Sequence, residues 1–157
     1  MHTGFHDSPH WKVDHVLSPQ LFYLSLNHLI SDGAVICFHS TYPRDESTSF
    51  LDRHLACSDL LENVSPDIPS QSTNWSGHYL YSGSFSKDLE AYFAQWNHPI
   101  ADNIACYSKG ELLLWFHDAF SWGELQLTAK YTPAKVSQFC AAMAPTALLD
   151  RAGPQCF

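Results

Sequence analysis

Apolar and polar positions along this chain switch between a helical and a strand rhythm. From residue 18, Leu21, Phe22, Leu24, Leu26, Leu29 and Ile30 recur at helical spacing behind Ser18, an N-cap hydroxyl, and Pro19, whose missing N–H is not needed at the first helical position. Asp32-Gly33 closes this helix, and Ala34-Val35-Ile36-Cys37-Phe38 follows as a short, uninterrupted apolar run that predicts a buried strand. Helical spacing resumes over Ser49–Leu61 through Phe50, Leu51, His54, Leu55 and Leu61, after a polar stretch from Ser40 to Thr48. Trp75–Ser82 alternates like a strand. Ser86 then caps a helix whose Leu89, Tyr92, Phe93 and Trp96 form one stripe.

The stretch from Ile104 to Lys130 predicts an antiparallel meander. Ile104–Ser108 and Glu111–His117 are separated by Lys109-Gly110, and Gly123-Glu124 opens a third run over 125–129. Leu112 to Phe116 are consecutive apolar residues, so Glu111–His117 is expected at the centre of the sheet, covered on both faces. Thr132 and Pro133 start a last helix through Val136, Phe139, Cys140 and Met143, which Pro145 ends. These elements predict an α/β or α+β fold: a mixed five-stranded sheet with a C-terminal antiparallel meander and about four helices packed on it. The whole of 1–157 is expected to be a single domain, with 1–17 a polar, His-rich lead-in and 146–157 a loosely held tail.

Composition narrows the function. Sixteen acids against eight bases give a net charge of −8, which disfavours nucleic acid and anionic membranes and favours a basic protein partner. No window reaches the ~18 apolar residues of a membrane span. The five cysteines show no C-x-x-C spacing, and Cys37, Cys106 and Cys140 fall in apolar segments, which suits free thiols in a cytoplasmic protein.

Candidate chemistry is sparse. His2, His6, His10 and His15 offer metal-ligating imidazoles, but Pro9 breaks their helical face and no H-E-x-x-H signature is present, so no metal or other cofactor is expected. His117-Asp118 ends the central strand. With Cys106 as a thiol, these residues are the minimum for nucleophilic catalysis. His39 ends the first strand; were that strand parallel to Ile104–Ser108, His39 and His117 would stand at opposite edges of the sheet. The segment from Tyr81 to Ser86 lacks the lysine of a phosphate loop.

Acidic loops point elsewhere. Asp45, Glu46, Asp67 and Asp118, together with Phe120 and Trp122 in a turn, form the expected binding surface, with aromatic anchors ringed by carboxylates. In gross character the chain resembles immunity proteins and antitoxins, small acidic proteins that mask a basic partner. The competing expectation is a small enzyme, either a metal-dependent hydrolase or a Cys/His acyl-transfer enzyme. A homodimer built on exposed aromatics is compatible with both.

Overall fold

A computed structural model of the chain describes residues 5, 8–14, 16, 18–40, 55–59, 79–93, 95, 101–121, 123–143 and 148–152. Its strands are β1 (His10–Asp14), β2 (Val35–Ser40), β3 (Ala56–Asp59), β4 (Tyr79–Ser84), β5 (Asn103–Ser108), β6 (Glu111–His117), β7 (Glu124–Thr128) and β8 (Leu148–Ala152). They form one eight-stranded sheet in the order β3-β4-β2-β5-β6-β7-β1-β8. Every pairing is antiparallel. The described α-helices are α1 (Pro19–Ser25), α2 (Lys87–Phe93) and α3 (Pro133–Ala142). This is an α+β architecture.

The meander forms where the sequence places it. Lys109 and Gly110 both take positive φ, 51° and 76°, the conformation of a type I′ hairpin turn between β5 and β6. β6 lies between β5 and β7, so the apolar run is central. A register shift opposite Cys106 and Tyr107 lets Leu112 and Trp115 face one side of the sheet and Leu114 and Phe116 the other. Leu113 falls in this irregularity and is only partly buried.

The helices cap as their sequences suggest. The Ser18 hydroxyl accepts from the Leu21 N–H at 3.3 Å, and the Thr132 hydroxyl accepts from Lys135 at 3.2 Å. α1 tightens at its end into a 3-10 turn over Leu26–His28, after the Ser25 hydroxyl donates to the Leu21 carbonyl at 2.6 Å. Gly33 then takes φ 88°, and its N–H donates to the Phe85 carbonyl at 3.0 Å.

One face of the sheet meets these helices. Phe22 of α1 packs on Phe116 at 5.1 Å between ring centroids and on Phe139 of α3 at 6.3 Å, among Ile36, Phe38, Ile104, Leu114, Leu125 and Leu127, all fully buried. The Trp11 indole donates to the Tyr131 carbonyl at 3.1 Å and ties β1 beneath α3.

Several expectations are corrected. The sheet has eight strands and is not mixed, and residues 10–14 are an interior strand between β7 and β8, not a lead-in. Residues 148–152 of the expected tail pair with β1. Ala56–Asp59, read as the end of a helix, is strand β3. The expected strand over 75–82 is β4, which runs on through Gly83 to Ser84. The physical reason is shared. Strands of four or five residues carry too few alternations to signal themselves, and their pairing is set by partners distant in sequence.

Candidate functional site

Antiparallel pairing brings one end of β2, β5, β6 and β7 into register. His39 pairs with Asn103, Ile104 with Phe116, and His117 with Glu124, so His39, Asn103, His117 and Glu124 occupy one rung on the face away from the helices. The expected objection that His39 and His117 stand at opposite edges therefore falls, because β2 is antiparallel to β5. Asn103 stands between them.

Asn103 organises this rung. It is buried, and its side-chain oxygen accepts the Asp118 N–H at 3.1 Å and lies 2.9 Å from His117 Nδ1. Because the amide presents its oxygen to both, Nδ1 carries the proton and donates. His117 Nε2 then lies 3.2 Å from a carboxylate oxygen of Asp118, an ion pair whenever both ring nitrogens are protonated.

Asp118 sits in a strained turn. It takes φ 45° and Phe120 takes φ 66°, left-handed values uncommon for such residues. Backbone bonds hold the turn there: Ala119 N–H donates to the Asp102 carbonyl at 2.8 Å, Ser121 N–H to the Asp118 carbonyl at 3.0 Å, and Asp102 N–H to the His39 carbonyl at 2.8 Å. Gly123 completes it. A Cβ at that position would fall on the carbonyl oxygens of His117 and Asp118. The Asp118 side chain remains 62% exposed and the His117 side chain 55% exposed.

Glu124 extends the charged row toward β1. Lys12 reaches Glu124 at 3.3 Å and Asp14 at 3.7 Å, and Gln126 Nε2 donates to the other Glu124 oxygen at 2.7 Å. Burial would raise the Glu124 pKa, but the Gln126 hydrogen bond and the Lys12 ammonium outweigh it and hold the carboxyl below the usual range. Lys12 is raised in turn, mainly by Glu124.

The structure brings together only part of the predicted catalytic set. His117 and Asp118 are neighbours, but Cys106 faces the helices, on the opposite side of β5 from the histidine row. Burial pushes its thiol well above the ordinary value, and pushes Cys37 up to about 12. Neither sulfur is a thiolate at neutral pH. The side chains of Cys37 and His39 share a face, yet that raised thiol is no nucleophile.

The expected binding residues divide as well. Asp118 is exposed on its turn, whereas Phe120 folds inward onto Phe116 at 5.0 Å, Phe22 at 5.6 Å and Tyr23 at 5.8 Å, so its ring anchors the turn to the core. Trp122, Asp45, Glu46 and Asp67 lie outside the described residues, as do His2, His6 and His15. His10 is buried in β1, with Nδ1 2.8 Å from the Ser8 carbonyl. Among the described residues no group of three or more His, Cys, Asp or Glu side chains is arranged to hold a metal ion, and no helix is long and apolar enough to cross a membrane. Sequence reading missed Asn103. Nothing in an isolated asparagine before an apolar run signals its role, which only the register reveals.

The class defined here is an α+β protein with a polar row and a preorganised acidic turn at one end of an antiparallel sheet. No protein-family model, curated protein or solved structure matches the chain, so the chemistry of the row itself is the guide to function.

Proposed function

We propose that this is a small, cytoplasmic, non-catalytic binding protein that recognises a basic protein surface through the Asp118 end of its sheet. The observation that carries this reading is the Asp118 turn, an exposed carboxylate on a backbone held by three hydrogen bonds and an inward-facing phenyl ring. Such preorganisation lowers the ordering cost of binding. Charge among the described residues supports it: Asp14, Asp102, Asp118 and Glu124 flank strand ends here with Lys12 beside them, while the other end balances Lys87, Lys109 and Lys130 against Asp32, Asp88 and Glu111. Ser40, Asp59 and Tyr79, the residues from which segments 41–54 and 60–78 depart or return, stand at the Asp118 end too. By sequence those segments carry Asp45, Glu46, Asp52, Glu62 and Asp67 against Arg44 and Arg53. A partner's lysine or arginine would pair with the Asp118 carboxylate from the side where His117 Nε2 lies 3.2 Å away.

Affinity capture tests this. Tagged protein in a lysate of its source cells, at ~0.1 M salt, should retain a basic protein that is lost with Asp118→Lys and above ~0.5 M salt, where exposed charges are screened. Equal retention by the variant, or a co-purifying small metabolite in place of a protein, would reject the proposal.

A further inference from the structure

Both ring nitrogens of His117 face oxygen atoms. Nδ1 lies 2.9 Å from Asn103 Oδ1, and Nε2 lies 3.2 Å from a carboxylate oxygen of Asp118. The first contact has a fixed sense, because Asn103 Oδ1 also accepts the Asp118 N–H at 3.1 Å, and a backbone amide can only donate. Asn103 is buried, so its amide is held in that orientation. Nδ1 is therefore a donor whatever the charge on the ring. Nε2 decides how the ring meets Asp118: with a proton it donates to the carboxylate as half of an ion pair, and without one its lone pair opposes the carboxylate charge. The bond from Asp118 N–H also ties down the turn at φ 45°, so one amide sets the positions of both partners.

We propose that His117 is a proton-operated latch on the Asp118 carboxylate, with Asn103 as its positioning residue: the imidazolium pairs with the carboxylate, and the neutral ring releases it to a partner's cation. The last clause rests on the binding role proposed above for Asp118; the latch itself rests on the geometry of His117, Asn103 and Asp118. A partner's lysine or arginine and protonated His117 compete for one carboxylate, so acid conditions weaken capture and neutral conditions permit it. Other charged or titratable groups stand around the latch among the described residues. Glu124 is opposite His117 on β7 and is engaged by Lys12 and Gln126, Asp14 shares Lys12, and His39 and Asp102 lie beyond Asn103. Their titration changes the local field, so substitution is needed to isolate the effect of His117.

Long-range nitrogen–proton correlation spectra of the full-length protein report the ring directly. Neutral His117 should be the Nδ1–H tautomer, and the Asp118 carboxyl carbon resonance should move in step with His117 protonation, above the range in which exposed carboxylates titrate. A hexa-arginine peptide reports the consequence. Between pH ~7.5 and ~5.5 its affinity should fall about three- to fivefold more for the native protein than for His117→Gln, as expected when an exposed ion pair must be broken. An Nε2–H tautomer, a carboxyl resonance indifferent to His117, or equal losses in the two proteins overturns the latch. A peptide that binds at neither pH would reject the binding role of Asp118, and the two spectra alone would then decide the latch.

Discussion

Among the described residues, the two faces of this sheet carry buried clusters of very different size. Toward the helices, rings from α1, α3 and β6 interlock around Phe22 and Phe116, and every strand from β2 to β1 sends fully buried side chains into one cluster. Away from them, among the described residues, Cys37, Ala105, Tyr107 and Trp115 form a smaller buried cluster, with Phe5, Val35 and Leu112 against it, that gives way within two residues along β2 and β6 to His39, Asn103 and His117. Most of the described buried apolar side chains lie on the first face, while the second also carries the polar row, whose buried Asn103 is hydrogen-bonded.

Core truncation is the most forceful way to break this comparison. Phe22→Ala should cost ~3–5 kcal/mol in a urea titration at neutral pH, while Phe5→Ala should cost ~1 kcal/mol or less. Comparable losses would mean that the faces are equally deep. Gly123→Ala should come next, at ~1–3 kcal/mol, because the backbone of the acidic turn must move to admit a methyl group. No loss would show that the turn is not held as tightly as its hydrogen bonds imply.

Alkaline pH sharpens the comparison further. The folded pKa of Cys37, about 12, is above the ordinary thiol value, so its contribution is complete below ~8.5 and is lost as pH rises toward the folded value. Stability should therefore fall between those limits by up to ~1.4 kcal/mol per pH unit for such a thiol. Cys37→Ala should flatten that slope in denaturant titrations; an unaltered slope would place the thiol in contact with water. The smallest effect belongs to Lys12. Glu124 has a depressed folded pKa, so its contribution is present above ~4.3 and lost as pH falls through the folded value. Lys12→Met should move the Glu124 NMR titration upward and weaken stability by less than ~1 kcal/mol, as for other exposed pairs.

Legibility in the sequence followed signal length. Ser18-Pro19 and Thr132-Pro133 announce their helices locally, and Lys109-Gly110 announces its hairpin, because capping and turn conformation depend on neighbouring residues alone. His117 and Asp118 were legible as a pair by adjacency. Their relation to His39 was not, since it depends on the antiparallel direction of β2, and the role of Asn103 depends on the rung it shares. The inward turn of Phe120 was equally hidden: a positive φ after Asp118 reverses the side that its ring faces.

The proposed cation-binding surface is the Asp118 end of the sheet. Amide chemical-shift mapping of the full-length protein with a hexa-arginine peptide tests it directly. Shifts should concentrate at Asp14, Asp102–Asn103, His117–Ser121 and Glu124, and should vanish at ~0.5 M salt, where the Debye length falls to about 4 Å. Shifts centred instead on Lys109–Glu111 and Lys130, or spread evenly over both ends of the sheet, would contradict it.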